Sequence, residues 1–322
     1  MKTLFTTFII AAFLLGSCNN SQAAGRQVIE VSQETKLPLE MIGGHLFSQW
    51  TINDTIVASV FLETGFPRIV INESFAEKHL QNLVTMVENT ENTSVASWGR
   101  PGERTRVSYF INDSLIVNGE KIEINAFVTD FPAIRERDML FPLYDLGGKI
   151  KLNIEDGYMQ IIREGEFSTS DFIVFDANFD SGTRGLYITT TLQVYDALGE
   201  KEELSGNFLF DIGAANAFFL NRNIPETSTF VAQSERMHLT EGFTPNPAAE
   251  LAVIMPRRII IDKIEIFNTF VPAMNMYSPS GRANHFVGVI GNRFLANFIV
   301  IFDFINSKVY LKPNSDSVKI IE

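Results

Sequence analysis

The chain has 322 residues, 45% of them hydrophobic and 20% charged, with 38 acidic against 26 basic side chains and a net charge of −12. That is globular composition, long enough for two lobes with a core each, and 28 Phe against 7 Tyr point to cores packed with rings that lack a polar handle. No basic run exceeds Arg257-Arg258, so nucleic acid, which requires a positive footprint, is excluded as a partner.

Residues 1–17 read as an export signal: Lys2 is the positive start, 4–15 form an apolar stretch too short to span a bilayer comfortably, and small residues follow. Leu14-Leu15-Gly16-Ser17-Cys18 resembles the lipobox of bacterial lipoproteins, which implies that Cys18 is acylated and begins the mature chain. More than one acyl chain would then anchor it stably in the cell envelope. The absence of an acidic run after Cys18 resembles lipoproteins that face the periplasm. Residues 18–35 read as a polar tether. Cys18 is the only cysteine, so packing alone holds the mature fold.

From Lys36 onward the pattern predicts strands. Residues 46–52 and 56–62 flank Asn53-Asp54-Thr55 as a hairpin. A helix is predicted over 73–83, with Phe75, Leu80 and Leu83 on its packed side. A second hairpin spans 95–110 with a tip around Gly99 and Gly102, and further strands are expected at 114–117, 122–128 and 150–162. A polar stretch, 163–181, carries Phe172-Ile173-Val174-Phe175 and separates two copies of one order of elements. Strands follow at 185–192 and 206–210, a long hairpin at 237–253, strands at 258–262 and 264–266, an apolar segment at 287–295, and closing strands at 298–302 and 308–312.

The two copies share a short design. Val60-Phe61-Leu62-Glu63-Thr64-Gly65 and Phe208-Leu209-Phe210-Asp211-Ile212-Gly213-Ala214 each run an apolar strand into an acid, one residue and a glycine. A second apolar run follows each, at 68–72 and 218–221. Val289-Ile290-Gly291-Asn292-Arg293-Phe294-Leu295 comes later in the second copy. These segments, with Ile301-Phe302-Asp303-Phe304 and Val309-Tyr310-Leu311, resemble the aspartic peptidases, most closely bacterial retropepsin-like lipoproteins with two fused lobes. The resemblance implies an all-β, two-lobed, acid-protease-like β-barrel architecture with short helices and a pseudo-two-fold repeat. Its lobes would be 36–165 and 166–322. It further implies a catalytic pair of Asp211 and Glu63, supported by Thr64, Gly65, Gly213, Ala214 and Gly291, with Trp98 and Gly99 on a flap over the substrate. In that family two carboxyl groups about 3 Å apart share a proton. One activates water and the other donates to the developing oxyanion, with no metal or cofactor.

Four features depart from the family. Glu63 replaces an Asp, and its extra methylene moves the carboxylate by about 1.5 Å, where 1 Å can cost on the order of a hundredfold in rate. Phe66-Pro67 follow Gly65 where small residues are usual, and Pro67 has no N–H. The first-lobe counterpart of the Gly291 segment is Asp138-Met139-Leu140-Phe141-Pro142-Leu143, without a glycine. Ile212 stands where the family has a Thr that grips the opposite lobe, so only Thr64 supplies a hydroxyl. The departures favour a degenerate peptidase fold that binds an extended peptide or protein between its lobes. A working endopeptidase with a Glu63/Asp211 pair and a structural envelope lipoprotein are the alternatives. His45, His79, His238 and His285 lack metal-ligand spacing and read as surface or structural residues. No phosphate loop, zinc motif or nucleophile elbow is present. A fused two-lobed chain needs no second copy to complete a cleft, so a monomer is expected.

Overall fold

Alternation of apolar and polar residues decides where the strands run, and the glycine and Asn/Asp turns between them decide how they pair. The computed structural model describes residues 36–96, 104–131, 137–162, 168–180, 182, 184–238, 251–267, 269–276, 285–314 and 318–321. The export signal 1–17, Cys18, the tether, Trp98, Gly99 and most of the tip expected within 237–253 lie outside the described residues.

The chain is all-β and two-lobed, with strands dominating and only short helices. In the first lobe His45–Ile52 and Ile56–Glu63 form the expected hairpin around Asn53 and Asp54, both in the left-handed region. Met139–Pro142 runs parallel to Ile56–Glu63 and antiparallel to Ile69–Ile71, and Glu120–Val128 runs parallel to Ile69–Ile71. The second lobe repeats this order. Gly185–Tyr195 and Lys201–Phe210 form the hairpin, and Gly288–Ile290 runs parallel to Lys201–Phe210 and antiparallel to Phe218–Asn221. Val271–Met274 then runs parallel to Phe218–Asn221. Met139–Pro142 is therefore the topological counterpart of Gly288–Ile290. The strand after each acid loop also ends on an asparagine that turns the chain: Asn72 Oδ1 accepts the Ser74 N–H at 3.0 Å, and Asn221 Oδ1 accepts that of Asn223 at 3.1 Å.

Both lobes contribute to one six-stranded sheet, in the order Lys36–Pro38, Tyr158–Ile162, Lys149–Asn153, Phe298–Asp303, Lys308–Pro313, Ile173–Asp176. Its two central strands pair antiparallel, with Lys151 opposite Ile301, so the pseudo-two-fold relation passes between them. The hairpins on either side turn in the same way. Asn153 Oδ1 accepts the Asp156 N–H at 3.0 Å, and Asp303 Oδ1 accepts the Asn306 N–H at 2.9 Å. One buried cluster, including Trp50, Leu62, Phe141, Phe210, Phe294 and Phe302, runs through both lobes.

Two local expectations, the length of the helix and the packing of Leu83, are corrected. The helix at Glu73–Phe75 passes into a wider turn over Ala76–Leu80, where the Gln81 N–H reaches the Ala76 carbonyl at 3.1 Å. It stops there. Phe75 and Leu80 are buried, but Leu83 lies beyond the helix and is 38% exposed. At the described ends of the long hairpin expected from Met237, His238 bridges antiparallel to Ile254 and the Met255 N–H reaches the Met237 carbonyl at 2.7 Å. Met237 is buried and ends a tight turn over Glu235–Met237, and Ala252–Ile254 also pairs with Val271–Met274.

Candidate active site

The acid-x-Gly segments leave their strands at corresponding places. Ile56–Glu63 ends on Glu63, and Lys201–Phe210 ends one residue before Asp211. The last three residues of each strand are buried on both faces. Leu62 and Phe210 point into the main core, whereas Phe61 and Leu209, two residues before the acids, enter two small satellite clusters. The clusters match by register: Leu140 is opposite Phe61 and Val70, and Val289 is opposite Leu209 and Phe219. Phe66 turns into the first cluster with its ring 5.8 Å from that of Phe131. Val95, from the hairpin of Ser94–Ala96 and Arg104–Arg106, packs there too, so the base of that hairpin rests on the cluster around Phe61 and Phe66.

The loops bring the two carboxylates together. Each acid accepts the N–H of the glycine two residues on, Gly65 to Glu63 Oε1 at 3.0 Å and Gly213 to Asp211 Oδ1 at 2.8 Å. Each also lies over the glycine of the other loop. The position a Cβ would take on Gly65 is 3.0 Å from Glu63 Oε1 and 3.1 Å from both Asp211 Cγ and Oδ2. On Gly213 a Cβ would overlap Glu63 Oε2 and lie 2.6 Å from Glu63 Cδ. Glycine is thus required at 213 by the opposing carboxylate, whereas a Cβ at 65 would fit only tightly between the two acids, and the extra methylene of Glu63 is taken up by the space over Gly213. Glu63 is 8% exposed; Asp211 is half-buried.

The supporting residues sit beneath. The Thr64 hydroxyl, buried, donates to the Phe210 carbonyl at 2.9 Å and accepts the Ile212 N–H at 3.0 Å. Ile212 is fully buried in the main core. Ala214 closes the second loop, its N–H reaching the Asp211 carbonyl at 3.1 Å and its own carbonyl accepting from the Asn292 N–H at 2.9 Å. Gly291 lies so close behind that a Cβ there would overlap Asn216 O and come within 2.6 Å of Ala214 O. Among the described residues no group of His, Cys, Asp and Glu could hold a metal ion, and no helix is long and apolar enough to cross a membrane.

Sequence reasoning missed three residues that touch this site. His45, read as surface or structural, places Nδ1 2.9 Å from the Gly213 carbonyl. Gly44 packs on Ala215, and the Asn292 side-chain amide donates to Gly44 O and Ile212 O. The Gly43-Gly44 pair was a legible hairpin signal, since a two-residue turn with two positive φ values favours it. Nothing in sequence announces the Asn292 contacts. A scan against protein-family models finds no match, and neither does a search of curated proteins.

Proposed function

We propose that this chain hydrolyses peptide bonds in extended polypeptides, with Glu63 and Asp211 as a proton-sharing pair. The observation that carries the reading is the convergence of both carboxylates on one point above Gly65. Two carboxyl groups held this way ionise together only at high cost, so one proton is shared. Burial disfavours charge, which assigns that proton to Glu63 and leaves the more open Asp211 as the base. Asp211 takes a proton from water as its oxygen attacks the peptide carbonyl carbon, and Glu63 donates its proton to the carbonyl oxygen. As the C–N bond breaks, the proton on Asp211 passes to the leaving nitrogen, and one hydroxyl of the tetrahedral intermediate returns a proton to Glu63. Acylation of Cys18 would tether the enzyme in the bacterial envelope, facing the periplasm, as a monomer.

The test is incubation of the soluble chain from residue 19 with an unfolded protein between pH 3 and 7, reading new termini by mass spectrometry. Cleavage is expected, blocked by a statine-type inhibitor and abolished in Asp211→Asn. Wild-type protein that cuts nothing across that range overturns the reading.

A second reading, peptide binding without turnover, draws support from the asymmetry of the site: a glutamate, an isoleucine beneath the pair, and Pro67 in the first loop. Fluorescence anisotropy of a labelled extended peptide separates the two, because this reading requires saturable binding with the peptide recovered intact.

A further inference from the structure

Thr64 grips the second lobe, but Ile212 has no hydroxyl with which to return the contact. The first lobe compensates from another place. Its Glu40–Ile42 and His45–Ile52 strands are joined by Gly43-Gly44, with φ of 61° and 90°, and this turn docks on the loop carrying Asp211. A Cβ on Gly44 would lie 2.7 Å from Ala215 O, so the approach is backbone to backbone. Fully buried Asn292 fastens it, one amide group donating to Gly44 O at 2.9 Å and to Ile212 O. His45 follows, Nδ1 2.9 Å from Gly213 O, its ring edge-on to Phe61 at 5.4 Å. It therefore touches both the strand that carries Glu63 and the glycine beside Asp211.

We infer that His45 is a positioning residue that supplies the second half of the cross-lobe grip by holding the Gly213 carbonyl. A carbonyl only accepts, so Nδ1 carries the proton in this contact. The N–H of the same Gly213 holds Asp211 Oδ1. The peptide plane that carries this N–H also carries the Ile212 carbonyl, which Asn292 holds. The next plane, with the Gly213 carbonyl, is held by His45 and by the Ala214 N–H on the Asp211 carbonyl. Glycine has the most freely rotating backbone, so without the His45 contact this second plane keeps one anchor of two, and the turn that carries the Asp211 carboxylate is held less firmly. The mechanistic consequence rests on the peptidase reading above, whereas the anchor itself does not.

The test uses three variants and two readouts. Asparagine places an amide N–H where Nδ1 stands, and glutamine places it where Nε2 stands, so His45→Asn keeps the grip while His45→Gln and His45→Ala lose it. Gly213-Ala214 is the only Gly-Ala step in the sequence. Carbonyl-13C glycine with 15N alanine therefore gives one correlation that reports the Gly213 carbonyl. That carbonyl is expected to shift to lower frequency in His45→Gln and His45→Ala and to stay near its wild-type position in His45→Asn. In parallel, kcat falls by about tenfold or more in the first two, with KM little changed, and by no more than about threefold in His45→Asn. A carbonyl that does not move in His45→Ala, or asparagine and glutamine variants that behave alike, overturns the inference. Wild-type protein without turnover overturns the peptidase reading alone, since the carbonyl shift decides the anchor independently.

Discussion

The contact between Glu63 and Gly213 makes a quantitative prediction that needs no activity assay. Gly213→Ala adds one carbon at a point that overlaps Glu63 Oε2 and lies 2.6 Å from Cδ and 2.8 Å from Oε1. To regain ordinary contact the carboxylate must retreat by roughly 1.5–2 Å. It is 8% exposed and tied to the Gly65 N–H, so retreat means breaking that bond or shifting a loop. Overpacking of this kind costs about 1–3 kcal/mol. Glu63→Asp removes one methylene and draws the carboxylate back by about 1.5 Å, opening the space that the alanine methyl fills. In a double-mutant cycle the two substitutions should therefore compensate, with a coupling of about 1–3 kcal/mol. Urea unfolding of the wild type, both single variants and the double variant measures it. Costs that add to within about 0.5 kcal/mol would refute the argument that Glu63 occupies the room over Gly213.

Thr64→Val removes both bonds of the buried hydroxyl and leaves the Ile212 N–H and Phe210 carbonyl without it. A loss of about 2–4 kcal/mol is expected in urea unfolding, with Thr64→Ser retaining all but about 1 kcal/mol of the stability; valine and serine variants of equal stability would contradict the grip. Acylation at Cys18 predicts that the full-length chain expressed in a bacterium incorporates labelled palmitate and sediments with membranes, and that Cys18→Ser does neither. Equal labelling of the two proteins would remove the anchor.

Much of the fold was legible because duplication leaves a record in sequence. Two acid-x-Gly turns, the apolar run after each and the asparagines that end those runs place the repeat without any contact information. Alternation then locates the strands, as at Glu120–Val128, where every second residue from Ile122 is buried. What escaped were contacts made by residues distant in the chain and unremarkable in type. His45 and Gly213 are 168 positions apart, and Asn292 and Gly44 are 248 apart. Periodicity carries no information about such pairs. Leu83 was misplaced for a different reason: its spacing suits a longer helix, but the widened turn at Ala76–Leu80 ends the helix first. In sequence the length of Glu63 displaces its carboxylate from a partner; in the fold that length is matched by the bare backbone of Gly213.

That match suggests how a duplicated site can lose its symmetry and keep its geometry. The turns that close the central hairpins show the same process in simpler form. In one, Asn153 Nδ2 donates to Asp156 Oδ2 at 2.7 Å; in the other, Asn306 Nδ2 donates to Asp303 Oδ2 at 2.8 Å. Amide and carboxylate have changed places, and the turn is unaltered because each donor still meets an acceptor. Identical residues are not what the interface between the lobes demands. What counts there is that the polar groups reaching across it find partners, since a buried group left unmet costs about 1–3 kcal/mol. Position 212 offers no hydroxyl, and an imidazole reaches Gly213 instead; the longer acid at 63 is met by a glycine that leaves it room. The asymmetry of the pair is therefore compatible with a preorganised site. By the same reasoning, shortening only one of the two acids, as Glu63→Asp does, leaves the space over Gly213 unfilled and should loosen the pair.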